Sequence, residues 1–162
     1  MEPTEWLGGK IAEDYPFALL TSKSRYRLHS QLDSTESHNF TNVEDREPVW
    51  MHPDAAKKLG VATGDVVKVE SRRGKVLAGV IVTERVRPDT VVIRHGAWYD
   101  PEKQGEVGTL DVHGCDNVLT IDIPSSKLAN GNVANSSQVR IEKFTGELPR
   151  VRVWEQPRTV RG

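Results

Sequence analysis

The stretch GDVVKVESRRGKVLAGVIVTERVRPDTVVIRHG, residues 64–96, decides the fold because it contains three short runs of β-branched residues separated by turn signals. Valine and isoleucine favour strands, which predicts strands at 66–70, 75–83 and 90–93. Arg73-Gly74 is typical of a hairpin, and Arg87-Pro88-Asp89 of a second turn. We therefore expect a β meander, and closely spaced strands with few helices favour a β-barrel.

The flanking sequence predicts a few further elements. Residues 52–60 fit a short helix, with Pro53 and Asp54 in the first turn, lysines in the last and Gly60 after it. Residues 17–21 and 138–144 are predicted strands. Residues 31–46 are rich in Ser, Thr, Asn and Asp, a composition that favours an extended surface loop.

Length and composition indicate one domain. The chain has 162 residues, of which 36% are hydrophobic and 28% charged. We divide it into a lead-in segment, residues 1–16, a barrel domain, residues 17–144, and a C-terminal tail, residues 145–162. The tail mixes apolar and basic residues, and we expect it to be ordered only as far as Val153 or Trp154.

Charge and cysteine content exclude several classes of protein. A net charge of −1 lacks the positive field of a general nucleic-acid binder. The single cysteine, Cys115, allows no internal disulfide, and with His113 it lacks the second ligand pair of a structural zinc site. No apolar run approaches the roughly 18 residues of a membrane span, and the acidic N-terminus does not resemble a secretory signal.

The first candidate site follows the predicted strand at 17–21. Arginine and lysine there suit phosphate oxygens, and serine hydroxyls with backbone amides complete an anion cradle. The alternative is an exposed strand whose charges are merely solvated. Its residues are Ser22, Lys23, Arg25, Arg27, His29, Ser30 and Gln31.

The second candidate site lies before the last predicted strand. Amide side chains present a donor and an acceptor together, as reading the edge of a purine or pterin requires. The alternative is an ordinary loop, because Asn-Gly-Asn turns the chain. The residues are Asn117, Thr120, Ser125, Ser126, Asn130, Asn132 and Asn135.

The sequence supplies no catalytic signature. It contains no Gly-x-Gly-x-x-Gly or Walker pattern, and no nucleophile turn supports a Ser-His-Asp or Cys-His reading. Trp98 and Tyr99 are candidates for a pocket wall, but large aromatic residues near a strand end are more often core.

Three strings occur along the chain in this order: YRLHSQL, then REPVWMHPDAAKKLGVATGDVVKVESRRGKVLAGVIVTERVRPDTVVIRHGAWYDP, then NVLT followed by SSKLANGN. In that order they resemble the C-terminal domain of molybdopterin oxidoreductases. The resemblance covers residues 1–144 and points to the dimethyl sulfoxide reductase family, in particular its trimethylamine N-oxide and biotin sulfoxide reductases. It implies a mainly β, double-psi β-barrel with one or a few short helices, which caps bis(molybdopterin guanine dinucleotide).

The resemblance also implies which residues contact the cofactor. The segment from Arg25 to Gln31 is similar to the family's Arg-x-His-Ser-Gln motif and to the residues that lead into it. Asn117 is similar to the asparagine of the family's Asn-Val-Leu-Thr motif, and Asn132 is similar to the asparagine of its Gly-Asn segment. The full implied set is Ser22, Lys23, Arg25, Arg27, His29, Ser30, Gln31, Asn117, Thr120, Ser126, Asn132 and Asn135.

Three departures from the family pattern bear on function. Asn135 stands where relatives usually have a glutamine, and its shorter amide reaches less far. We recognise no family pattern in the tail from Leu148 onward. The residue that binds molybdenum belongs to upstream domains, which are absent here, and the opening Met-Glu-Pro is similar to an internal stretch, so Met1 is not expected to be the natural start.

The resemblance therefore implies one part of a molybdenum reductase that takes an oxygen atom from an N-oxide or S-oxide. We expect no catalytic residue and no metal ligand in this chain, and upstream domains of the same enzyme as partners. Electron donor, compartment (periplasmic or cytoplasmic in a bacterium) and cofactor binding by the isolated chain stay open. The alternative is a free-standing double-psi barrel acting as an adaptor or nucleotide-binding module. A third hypothesis, single-stranded nucleic-acid binding, has less support because the net charge of the chain is negative.

Overall fold

The computed structural model describes residues 5–128 and 131–156. Within them, the strands are β1 (Phe17–Leu20), β2 (Pro48–Met51), β3 (Val66–Glu70), β4 (Lys75–Val82), β5 (Thr90–Ile93) and β6 (Ser137–Lys143). They form a closed barrel in the order β1-β5-β2-β4-β3-β6. The pairs β1–β5 and β2–β4 are parallel, and the other neighbouring pairs are antiparallel. The predicted fold class, a mainly β, double-psi barrel, is confirmed.

The barrel interior is filled by the alternate residues of each strand. In β3, Val67 and Val69 are fully buried, whereas Lys68 between them points outward and pairs with Glu142 of β6 at 2.8 Å. This period of two places one face of each strand inside. The core is consequently aliphatic, and every strand of the barrel contributes to it.

Short helices connect the strands. The predicted helix at 52–60 is confirmed as α2 (Pro53–Leu59), after α1 (Glu36–Asn39). His52 Nδ1 accepts the Asp54 N–H at 3.1 Å, and Gly60 ends the helix with φ of 65°, the left-handed conformation that glycine adopts without a Cβ penalty. Turns of 3-10 helix lie at Lys10–Glu13, Asp116–Val118 and Ala134–Ser136.

The expected meander is wrong beyond its first hairpin. β3 and β4 pair as predicted, but β5 pairs with β1 and β2 rather than with β4. Strand β2, which was not predicted, lies between β5 and β4. It has four residues and begins at a proline, which lacks the N–H of a ladder donor and is tolerated at a strand start.

The segment 31–46 is mostly irregular and at least partly exposed, as expected of a surface loop, but it contains α1, and Asp33, His38 and Arg46 within it are buried. Polar composition indicates exposure by default, but charged groups are buried where ion pairs and hydrogen bonds replace water. The contacts of Asp33 and His38 below are of this kind.

Both flanking segments contact the barrel. Glu5 is buried, pairs with Arg73 at 2.7 Å and accepts the Gln138 N–H at 2.8 Å. In the tail, the backbone N–H groups of Arg152 and Val153 donate to Asp100 Oδ2 at 2.5 and 3.0 Å. No helix in the described part of the chain is long and apolar enough to cross a membrane.

Candidate functional site

A pocket of about 510 Å³ lies where β1 and β5 end. Because the two strands are parallel, the residues that follow each of them meet at the same edge of the barrel, a common location for ligand sites in parallel sheets. The pairing continues past the strands as a bridge between Lys23 and His95. The lining residues are Thr21, Lys23, His29, Ser30, His95, Gly96, Asp116, Asn117, Asn132 and Asn135.

The two polar sequence clusters meet in this pocket. Asn135 Oδ1 accepts hydrogen bonds from Thr21 N at 2.8 Å and Thr21 Oγ1 at 3.3 Å. The His95 N–H donates to the Ser22 carbonyl oxygen at 3.0 Å. These bonds join the segment after β1 to the residues before β6 and after β5, so one cavity collects groups far apart in sequence.

The floor of the pocket requires glycine at position 96. Gly96 has φ of 108°, and a Cβ placed there would lie 1.9 Å from the His29 carbonyl oxygen. His29 itself has φ of 54°, an uncommon conformation for a residue other than glycine. The neighbouring Trp98 Nε1 donates to the Ser30 carbonyl oxygen at 2.6 Å. The backbone at 29–30 and 96 is therefore closely packed and fixed.

The pocket wall carries groups of both charge types. Lys23 and the imidazoles of His29 and His95, with ring centroids 5.5 Å apart, face the same cavity as Asp116. Burial raises the pKa of the Asp116 carboxyl above its ordinary value, opposed by the Gly96 N–H at 3.4 Å and by His95. The lysine and imidazoles suit phosphate oxygens, and the amides suit a base edge.

Most of the chain matches a known family. The model described as "Molydopterin dinucleotide binding domain" matches residues 17–137. The chain belongs to this family of molybdopterin dinucleotide-binding domains. The resemblance drawn from the sequence and the cofactor class it implied are confirmed.

Curated relatives of the domain are reductases that are much longer than this chain. Trimethylamine-N-oxide reductase of Haemophilus influenzae is 49% identical over 99% of this chain and 19% of its own length. Dimethyl sulfoxide/trimethylamine N-oxide reductase of Rhodobacter capsulatus is 46% identical over 90% of this chain and 18% of its own. Trimethylamine-N-oxide reductase 1 of Escherichia coli is 44% identical over 89% and 17%. The domain thus spans less than a fifth of each relative.

A solved structure has the same fold. Acetylene hydratase from Pelobacter acetylenicus superposes with a TM-score of 0.68 over 89% of the domain and 21% of that chain. Its sequence identity of 19% limits the likeness to the fold itself.

Half of the predicted contact residues line the pocket, and each sequence cluster contributes to that half. They are Lys23, His29, Ser30, Asn117, Asn132 and Asn135. The sequence did not predict Thr21, His95, Gly96 or Asp116, which line it as well. His95 and Gly96 follow β5 as Lys23 follows β1. Had the parallel pairing of the two strands been known, these positions would have indicated that His95 and Gly96 lie beside Lys23.

The other predicted residues lie outside the pocket lining. Arg25 is exposed, with its guanidinium 5.9 Å from the Tyr26 ring, and Ser22 and Gln31 are exposed as well. Thr120 and Ser126 make local contacts, the first to the Asn117 carbonyl and the second from the Leu128 N–H. Asn130, named in the second cluster, lies outside the described residues.

Arg27 differs from the rest because its side chain is fully buried. Nη1 donates to Asp33 at 2.5 Å and to Glu47 at 3.0 Å. A guanidinium held this way is enclosed by protein, so the structure places Arg27 behind the pocket wall rather than in it. The sequence did not distinguish this buried arginine from a solvent-facing one such as Arg25.

Asp33 is the carboxylate at the centre of this buried cluster. Burial favours the neutral acid, but the hydrogen bond and charge of His113, the Trp98 N–H and the Arg27 guanidinium outweigh it and lower the pKa of Asp33 to about 2. Asp33 is therefore ionised at neutral pH and balances the charge of Arg27.

The single thiol of the chain is held in its protonated form. Burial raises the pKa of the Cys115 thiol to about 12, so the nucleophilic thiolate is not formed at neutral pH. No cluster of three or more His, Cys, Asp or Glu side chains in the described part of the chain is placed to hold a metal ion.

Proposed function

We propose that this domain is the C-terminal cofactor-binding part of a molybdenum enzyme that reduces an N-oxide or S-oxide. The relatives named for trimethylamine N-oxide and dimethyl sulfoxide support this assignment, with identities of 44–49%. The cofactor is bis(molybdopterin guanine dinucleotide), whose molybdenum centre supplies the oxygen-atom transfer. The observation that carries the proposal is the convergence of the two polar clusters on one pocket.

The residues of the pocket fit one nucleotide end of such a cofactor. A volume of about 510 Å³ lies within the roughly 300–1,000 Å³ that small-molecule sites occupy. Lys23, His29 and His95 offer positive or protonatable groups to phosphate oxygens, and Asn117 and Asn132 offer paired donors and acceptors to a base or sugar. A complete bis-dinucleotide exceeds this volume, so this domain holds only one part of it.

Roles follow from these positions. The lining residues contact the nucleotide and hold it in one orientation, which fixes the reactive end of the cofactor elsewhere in the enzyme. Ser22, Arg25, Gln31, Thr120 and Ser126 lie outside the lining and are proposed to contact parts of the cofactor that extend beyond the pocket. None of these residues is assigned a catalytic step.

The domain boundaries and partner are part of the same proposal. Residues 17–144 form the cofactor-binding barrel, with residues 1–16 and 145–162 as flanking segments. The remainder of the parent enzyme, which accounts for more than four fifths of each named relative, supplies the metal ligand, the substrate channel and the rest of the cofactor cage. A long in-frame coding region found upstream of Met1 would exclude a free-standing adaptor.

The test is a titration of the chain with GDP, followed by backbone amide NMR shifts. We expect shifts at Lys23, His29, His95 and Asn117. The variant Lys23→Met should bind GDP about tenfold more weakly, the loss of one charged hydrogen bond, whereas Lys57→Met, an exposed lysine on α2, should bind as the wild type does.

Parallel titrations with ATP and a short single-stranded oligonucleotide distinguish the alternatives. Equal shifts with ATP and GDP would favour a general nucleotide-binding module. A response to the oligonucleotide alone would favour nucleic-acid binding. GDP shifts located away from the pocket would contradict the assignment of this site.

A further inference from the structure

The buried Arg27 guanidinium is connected to the pocket wall by its second nitrogen. Nη2 donates to the carbonyl oxygens of Arg94 at 3.2 Å and His95 at 3.0 Å. These carbonyls belong to the segment that leaves β5 and immediately precedes Gly96 in the pocket lining. Arg27 thereby fixes the backbone from which the His95 imidazole enters the pocket.

The first nitrogen of Arg27 is fixed by a buried ionic cluster. Nη1 bonds to Asp33 and Glu47 and lies 2.7 Å from His38 Nε2. The side chains of Arg27, Asp33 and His38 are 0% exposed and that of Glu47 is 1% exposed. Low-dielectric surroundings strengthen such contacts, and the planar fork of an arginine reaches carboxylates on one side and carbonyls on the other.

Asp33 extends the same cluster to the neighbouring part of the pocket lining. Its Oδ2 accepts the Trp98 N–H at 3.2 Å, and Trp98 Nε1 donates to the Ser30 carbonyl oxygen at 2.6 Å. Ser30 and His29 line the pocket beside His95, with the His29 and His95 ring centroids 5.5 Å apart. Both lining segments, 29–30 and 95–96, are therefore tied to a single buried pair, Arg27 with Asp33.

The C-terminal tail also contacts this cluster. Trp154 Nε1 donates to Asp33 Oδ2 at 3.3 Å, and its ring meets the His113 ring edge-on at 4.9 Å. His113 Nε2 in turn lies 3.1 Å from Asp33 Oδ2. Trp154 and His113 therefore pack against the carboxylate that pairs with Arg27.

We propose that Arg27 is a positioning residue, whose buried guanidinium holds His95 and Gly96 in the geometry that receives the ligand without touching the ligand itself. The identity of that ligand rests on the proposed function. The positioning role does not, because it is measurable in the ligand-free chain.

The first test is amide hydrogen exchange of Arg27→Lys without ligand. Lysine keeps the charge but cannot bridge the carboxylates and both carbonyls. We expect exchange at His95, Gly96 and Trp98 to become about tenfold faster or more, the effect of losing a charged hydrogen bond. Exchange at barrel amides such as Leu77 and Val80 should change far less. Exchange that accelerates equally at all amides would overturn the proposal. Exchange that is unchanged at His95, Gly96 and Trp98 would overturn it as well.

Arg73→Lys is the matched control. Arg73 also joins a buried carboxylate, Glu5, to a carbonyl, that of Leu119 at 2.9 Å, but it does not line the pocket. Its replacement should leave exchange at His95 and Gly96 unchanged. Should Arg27→Lys fail to fold, the isosteric Glu47→Gln replaces it with the same criterion, since it removes the charge of one partner of Arg27.

The second test measures GDP affinity of Arg27→Lys at a temperature where the variant is fully folded. A residue that only stabilises the barrel would lower the melting temperature and leave Kd unchanged, which would refute positioning. We expect Kd to rise about tenfold. Failure of the wild type to bind GDP would count against the nucleotide assignment, and hydrogen exchange alone would then decide the role of Arg27.

Discussion

Replacing Asp33 with asparagine tests how much the buried cluster contributes to stability. Each pKa unit corresponds to about 1.4 kcal/mol, so lowering the pKa from 3.8 to about 2 makes the ionised Asp33 worth about 2.5 kcal/mol of folding free energy. That contribution is complete above pH 3.8 and is lost as the pH falls toward 2. Asp33→Asn also leaves Arg27 with Glu47 as its carboxylate partner, and breaking a buried pair costs about 3–5 kcal/mol in total.

Urea denaturation followed by far-UV circular dichroism, at pH values from 7 down to 2.5, measures this effect. The variant should be about 3–5 kcal/mol less stable at pH 7, and the difference should shrink by about 1.6 kcal/mol by pH 2.5 as the wild type loses the ionised form. Asp89→Asn is the control, because Asp89 pairs with Arg87 at the surface and should cost less than about 1 kcal/mol. A difference between wild type and Asp33→Asn that is constant across this pH range would refute the reasoning.

Two further substitutions probe the pocket itself. Gly96→Ala should destabilise the fold by about 2–4 kcal/mol, because it combines a strained φ with a clash against the His29 carbonyl oxygen. Gly105→Ala is the control, since Gly105 has φ of 78° but open space around it, so that alanine there introduces the strain without the clash. Equal losses of stability for the two variants in thermal denaturation would contradict the role of the clash. Asp116→Asn should raise the melting temperature at pH 7, because burial raises the pKa of Asp116 and penalises its ionised form. That gain should disappear below pH 3.8, where the wild-type acid is neutral, and a gain that persists at pH 3 would rule out this cause.

The elements were predicted where local chemistry alone specifies them. α2 carries its own start and stop signals at His52 and Gly60, and β3 and β4 follow from valines on either side of Arg73-Gly74. The pairing of β5 with β1 was not predicted, because Thr90–Ile93 is apolar without preference for a partner. Parallel pairing depends on strands distant in sequence, and local patterns contain no information about which of them meet.

The same limit explains which pocket residues were found. Lys23, His29 and Ser30 stand in a polar run directly after a buried strand, a pattern that is visible locally. His95 follows Arg94 just after β5, and Asp116 directly precedes Asn117. Only the meeting of β1 with β5 and of the two clusters shows that they line the cavity. Residue type indicated which ligand groups the polar runs suit, whereas the topology of the barrel determines which residues line the pocket.

Arg27 shows why residue type alone does not reveal that a charged side chain is buried. Arg25 and His29, two positions to either side, are exposed, and Arg27 shares their polar run. Its burial depends on Asp33, which is 6 positions away, and Glu47, which is 20 positions away. Because a buried charge is stable only with such partners, an arginine in a basic run is read correctly only together with the carboxylates that can enclose it.

The pocket and the buried cluster consequently divide the polar residues into two energetic classes. A lining residue such as Lys23 is exposed in the ligand-free chain, so its loss should reduce affinity and leave stability almost unchanged. Arg27 is enclosed before any ligand arrives, so its loss should lower stability and affinity together, since the same bonds that close the cluster hold His95. Plotting the change in GDP affinity against the change in unfolding free energy would therefore separate contact residues from positioning residues without a structure of the complex.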